Sequence, residues 1–70
     1  MSWSQNVYSS NVSEVGYDDQ LEAMTVTWKS GKTSAYFGVP EEKAREIANA
    51  PSVGKAINQD IKDQYEHRYI

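Results

Sequence analysis

The stretch SAYFGVPEEKAREIANAPSVGKAINQDI, Ser34 to Ile61, changes character half-way along. Up to Pro40 its residue types favour strand; after Pro40 come Ala, Glu, Lys, Ile and Gln, which favour helix. Pro40 suits the first turn of a helix, where its missing N–H costs nothing. Glu41 and Glu42 follow at the positive end of the helix dipole. Ala44, Ile47 and Ala48 then make an apolar stripe at helical spacing. The segment NAPS, 49–52, ends this helix: Pro51 keeps Ala50 out of the α region, and Ser52 is placed to cap a second helix. Val53, Ile57, Ile61 and Tyr65 recur every fourth residue and predict the buried stripe of that second helix.

Working outward, AMTVTWKSGK (23–32) is the clearest strand. Met24, Val26 and Trp28 point one way, and Ala23, Thr25 and Thr27 the other. The turn KSGK (29–32) makes a tight hairpin with Gly31 at positive φ. TSAYF (33–37) returns as the next strand. NVSEVGYDD (11–19) reads as a strand with Val15 and Tyr17 on one face, ending in turn chemistry at Asp18 and Asp19. Asn6–Ser9 is a candidate fourth strand, and DQYEHRYI (63–70) is a final strand or an anchored tail. A one-residue slip would reverse every face, so Met24, Val26 and Trp28 define the core side. The expected class is α+β. A small antiparallel sheet of three to four strands in the N-terminal half is followed by two short helices packed on one face.

The chain has 70 residues, enough for one domain over 1–70. Its hydrophobic share is 39%, so the core must rest on a few large side chains. The candidates are Trp3, Tyr8, Tyr17, Leu21, Met24, Val26 and Trp28 in the first half, with Phe37, Val39, Ile47, Val53, Ile57, Ile61 and Tyr65 in the second. That set fills one small core and leaves nothing for an enclosed active-site cavity. No cysteine is present, which excludes disulfides and thiolate metal sites. No signal peptide and no apolar run of about 20 residues is visible, so the reading is a soluble cytoplasmic protein with no membrane role. The net charge of −3 weighs against strong nonspecific binding to nucleic acid, although a local basic patch is compatible with it.

Four segments together resemble one known family: VYSSNVSEVGYD (7–18), the hairpin WKSGK (28–32), YFGVP (36–40) and NAPSVGKAINQDIKDQY (49–65). The chain resembles the KTSC domain, a short module found at the C-terminus of some lysyl-tRNA synthetases and also alone. The likeness covers nearly the whole sequence. The family carries a tyrosine–any–tyrosine motif in its central strand, and here that stretch is Ser34-Ala35-Tyr36, so only the second tyrosine is kept. A ligand site built on both rings would lack its first one. The synthetase context implies RNA as a partner.

Candidate chemistry is sparse. His67 is the sole histidine, and no spacing ties Ser9, Ser10, Asp63 or Glu66 to it, so it reads as a surface or terminal packing residue. The carboxylate pairs Asp18-Asp19 and Glu41-Glu42 are accounted for by a turn and a helix start. Gly54 beside Lys55 allows close helix–sheet packing or a phosphate at a helix start, without the full phosphate-loop pattern. Tyr36 and Phe37 must face opposite ways. Phe37 is the better core residue, which leaves Tyr36 on the other face with Ser34. Trp28 belongs with the core.

These readings predict a noncatalytic binding module with no cofactor and no metal. Its partner surface would draw on Ser34, Tyr36, Lys29, Lys32, Lys55, Lys62, Tyr65 and Arg68, with RNA or a protein as the partner. The alternative is a stand-alone accessory or inhibitor protein, phage or mobile-element encoded, acting by protein–protein contact. An open sheet edge leaves room for self-association.

Overall fold

In the computed structural model, which describes residues 2–70, the alternating segment around Val26 is the middle strand of a five-stranded antiparallel sheet. The strands are β1 (Trp3–Asn6), β2 (Val12–Asp18), β3 (Ala23–Trp28), β4 (Thr33–Phe37) and β5 (Glu66–Tyr69). They lie in sequence order across the sheet. Two helices, α1 (Glu41–Ala48) and α2 (Val53–Asp60), come between β4 and β5. The α+β class holds, with one strand more than the three to four expected. The added strands lie at Trp3–Asn6 rather than Asn6–Ser9, and at the C-terminal end.

The register sorts the side chains onto two faces. Tyr17 lies opposite Met24, and Val15 opposite Val26. Met24 lies opposite Tyr36, and Val26 opposite Ser34. Tyr36 lies opposite His67, and Ser34 opposite Tyr69. Met24, Val26 and Val15 are buried with Ile47, Ile57 and Ile61 of the helical half, so this is the covered face. Tyr36 is therefore on the core side, against expectation, and Phe37 stands on the back face, half-buried. Tyr8 and Leu21 also leave the expected core and are exposed, while Trp3, Trp28 and Tyr65 are half-buried at its margin.

Local chemistry fixes the turns. Gly31 has φ 98°, as the β3–β4 hairpin requires. Asp18 Oδ1 accepts the N–H groups of Gln20 and Leu21 and so folds the β2–β3 turn. Pro40 stands one place before α1, with ψ 148°, and the chain enters the helix at Glu41. The Tyr17 hydroxyl donates to the Val39 carbonyl at 2.8 Å, which pins the β4–α1 corner to the sheet. Trp3 Nε1–H donates to Glu41 Oε2, and Gln5 Nε2–H to the Ala48 carbonyl, so β1 is tied to both ends of α1. Arg45 and the Trp3 N–H together hold the Glu41 carboxyl below its usual range.

The second helix is shorter than its periodicity suggested. Ser52 takes the N-cap position, but its hydroxyl makes no capping bond. The helix stops at Asp60, and Asp63 at φ 66° turns the chain back toward the sheet. Tyr65 thus leads into β5 rather than extending the helical stripe. Among the described residues, no helix is long and apolar enough to cross a membrane.

The tight backbone approach is at Gly16, not at Gly54. A Cβ at Gly16 would lie 2.7 Å from Thr25 Oγ1 and 2.8 Å from the Trp3 carbonyl oxygen. A Cβ at Gly54 would meet only Ser9 Oγ, at an ordinary 3.6 Å. Urea unfolding of Gly16→Ala is therefore expected to show a loss of about 1–3 kcal/mol from overpacking. Gly54→Ala, on a helix, is expected to be neutral or to gain up to about 1 kcal/mol. Equal losses at both positions would contradict this assignment.

Candidate functional site

A groove of about 720 Å³ opens on the covered face, between α2 and the β4–β5 side of the sheet. Its floor is aromatic: Trp28, Tyr36, His67 and Tyr69. One wall is the first turn of α2 with Lys55, and the other walls are the Ser9–Asn11 loop and the segment carrying Lys62, Asp63 and Tyr65. A smaller groove of about 290 Å³ adjoins it, sharing Ser10, Asn11, Trp28 and Tyr69, and adds Lys29 and Lys32.

The floor is organised by Ser34, whose side chain is 1% exposed. Trp28 Nε1–H donates to Ser34 Oγ at 2.8 Å, and His67 Nε2 lies 2.9 Å from the same oxygen. The hydroxyl can accept the indole proton and still bond Nε2, with the donor in that second contact set by the His67 tautomer. A single hydroxyl therefore links β3, β4 and β5. The His67 ring stands 4.9 Å from Tyr36 and 4.8 Å, edge-on, from Tyr69. Lys32 Nζ lies 5.2 Å over the Tyr69 ring. These spacings lie within the range of favourable ring contacts.

Burial pushes the Tyr36 phenol above its ordinary pKa of 10.0, Tyr69 adds to the rise, and the Ser34 hydroxyl offsets part of it. The same holds at Tyr17, by burial first and then by Glu22 and Glu41. Both phenols thus ionise at higher pH in the fold than in the unfolded chain. Stability should be fully present below the unfolded-state value near pH 10 and fall as the pH rises through the folded-state values. Urea unfolding in steps from pH 8 to 11 checks this, and the combined change to Phe at Tyr17 and Tyr36 should flatten the decline.

The groove gathers Ser34, Tyr36, Lys55, Lys62 and Tyr65 from the expected surface, with Lys29 and Lys32 next door. Arg68 does not join them. It lies opposite Ala35, on the back face of β5 beside Glu66. Three residues of the floor, Trp28, His67 and Tyr69, lie outside the expected surface. Trp28, expected wholly in the core, is half-buried and lines both grooves. His67, expected as a packing residue with no serine tied to it, has Ser34, 33 positions away, as its partner. The signal that could have pointed to it is the alternation shared by Ser34, Tyr36, His67 and Tyr69 once β4 and β5 are paired.

The groove shows no evident catalytic feature. Ser34 is buried and holds the Trp28 N–H, so its oxygen is closed to a substrate. Among the described residues no cluster of three or more His, Cys, Asp or Glu is placed to hold a metal ion.

The profile of the KTSC domain matches residues 8–65, which takes in β2, β3, β4 and both helices and stops just before β5. The chain belongs to the KTSC domain family. A crystal structure of a KTSC domain protein from Yersinia pestis superposes with a TM-score of 0.88 at 28% identity, covering 100% of this chain and 99% of that one. A Stutzerimonas stutzeri protein is 34% identical over 61 residues, 87% of this chain and 84% of its own length. A lysine–tRNA ligase from Nostoc punctiforme is 30% identical over 59 residues, 84% of this chain. That stretch is only 10% of the ligase. The KTSC fold thus occurs both within tRNA ligases and as a protein of about this chain's length.

Replacing the serine tests the floor. Ser34→Ala leaves the Trp28 N–H without its buried acceptor and should cost about 1–3 kcal/mol in urea unfolding. A change within about 0.3 kcal/mol would show that water replaces the bond at no cost.

Proposed function

We propose that this KTSC domain is a noncatalytic binding module that takes single-stranded RNA, seating an unstacked base on the aromatic floor of the groove. The observation that carries the reading is the combination found there: Trp28, Tyr36, His67 and Tyr69 beneath Lys55 and Lys62, in a protein of net charge −3. Acidic chains do not attract nucleic acid as a whole, so concentrated lysines around aromatic rings call for an explanation. Unpaired RNA bases stack on such rings, while lysines neutralise neighbouring phosphates. The lysine–tRNA ligase from Nostoc punctiforme that carries a similar stretch acts on tRNA, which supports the same partner class.

The energetics set the expected strength. Stacking is worth about 1–3 kcal/mol per base. Two phosphate contacts by Lys55 and Lys62 predict only about a sevenfold loss of affinity between 50 and 200 mM salt. Binding is therefore weak and shallow in its salt dependence, as suits a module that adds to a larger contact rather than one that captures RNA alone.

Fluorescence anisotropy with an unstructured oligoribonucleotide and with tRNA, at both salt concentrations, tests this. Tyr69→Ala should weaken binding about five- to a hundredfold. Lys55→Glu with Lys62→Glu should abolish the salt dependence along with most of the affinity. Absence of binding to either RNA at 50 mM salt overturns the reading and favours a protein partner.

A further inference from the structure

The sheet ends in two edges, β1 and β5. The β5 edge is specified in an unusual way. The Ile70 N–H donates to the Thr33 carbonyl at 2.9 Å. Antiparallel ladders alternate hydrogen-bonded and non-hydrogen-bonded pairs. Since Arg68 lies opposite Ala35 and Glu66 opposite Phe37, the backbone groups of Glu66, Arg68 and Ile70 turn inward to β4. Those of His67 and Tyr69 turn outward, to an edge that no strand among the described residues covers.

Such an edge is a template for another strand, and charged side chains normally guard it. Here the guard is selective. Glu66 and Arg68 have opposite signs, stand two residues apart on the back face and are mostly exposed. Their own ion pair only just closes, at 4.0 Å. The β1 edge, Trp3–Asn6, has no charge at all and so carries no comparable register signal.

We propose that β5 pairs antiparallel with β5 of a second copy of this chain, about a two-fold axis at His67. Only outward-facing residues can form the hydrogen-bonded pairs across the new ladder, which leaves few registers. Centring on His67 places His67 against its own copy. Glu66 then meets Arg68 of the partner twice, in the closer non-hydrogen-bonded positions where side-chain pairing is felt most. Centring on Arg68 sets two arginines against each other; centring on Glu66 sets two glutamates together. The charges thus exclude the neighbouring registers and fit one. In this arrangement both helical layers lie on the same side of a continuous sheet, and the two grooves meet across the axis.

A four-residue edge buries far less than the ~1,200 Å² of stable complexes, so the dimer is weak and concentration-dependent. Sedimentation velocity between about 10 µM and about 1 mM, spanning weak association, is the test. The wild type should shift from monomer toward dimer across that range. Arg68→Glu and Glu66→Arg, both folded by circular dichroism, should each stay monomeric. An equimolar mixture of these two variants should dimerise again, and so should the double swap in one chain. A wild type that stays monomeric throughout overturns the proposal, as do single reversals that associate like the wild type or a mixture that stays monomeric. RNA binding plays no part in these outcomes.

Discussion

One hydroxyl group, on Ser34, holds together the half of the sheet that floors the groove. It sits beneath the helices, accepts the indole N–H of Trp28 from β3 and bonds His67 from β5. The strand that it secures needs the help. All four residues of β5 are exposed, so almost no apolar burial fastens that strand to the sheet. What remains is a short backbone ladder, the ring contacts of His67 with Tyr36 and Tyr69, and this hydroxyl. Burying a polar group is favourable only when its partners are buried with it, and here they also set the angle of two rings.

The groove above Ser34 follows from the proportions of the chain. Each helix has eight residues, about 12 Å of length, whereas a six-residue strand runs about 20 Å. Two such helices cannot roof the whole face. The apolar positions collect where they do reach, around Ile47, Ile57 and Met24. Beyond them, past the buried Tyr36, the sheet turns to residues with an apolar body and a polar tip: Trp28, His67 and Tyr69. Such side chains are stable half-wet, so the margin of the core can stay open as a groove without costing the fold its stability.

Much of this was legible in the amino-acid sequence, for local reasons. The alternation of β3, Gly31 in its hairpin, the entry at Pro40 and the break at Pro51 are each decided within a few residues. The misplacement of Tyr36 has a different origin. Alternation shows that Tyr36 and Phe37 face apart, but not which of them faces in; ranking by apolarity chose Phe37. The register with Met24 chose Tyr36. β5 gave no hydrophobic pattern at all because none of its residues is buried. The Ser34–His67 bond spans a sequence separation that no spacing rule reaches. Gly16 was silent for the same reason, since its crowding comes from Trp3 and Thr25 on two other strands.

The account comes down to one claim, that the floor organised by Ser34 is where a ligand sits. Nitrogen–proton NMR of the labelled protein, titrated with an unpaired oligoribonucleotide, addresses it directly. The Trp28 indole N–H lies on that floor and has a signal of its own. The account predicts that this signal moves on titration together with the amides of Ser34, Lys55 and Tyr69, while Glu14 and Thr27 on the back face stay still. An indole signal that holds its position while back-face amides shift would contradict it.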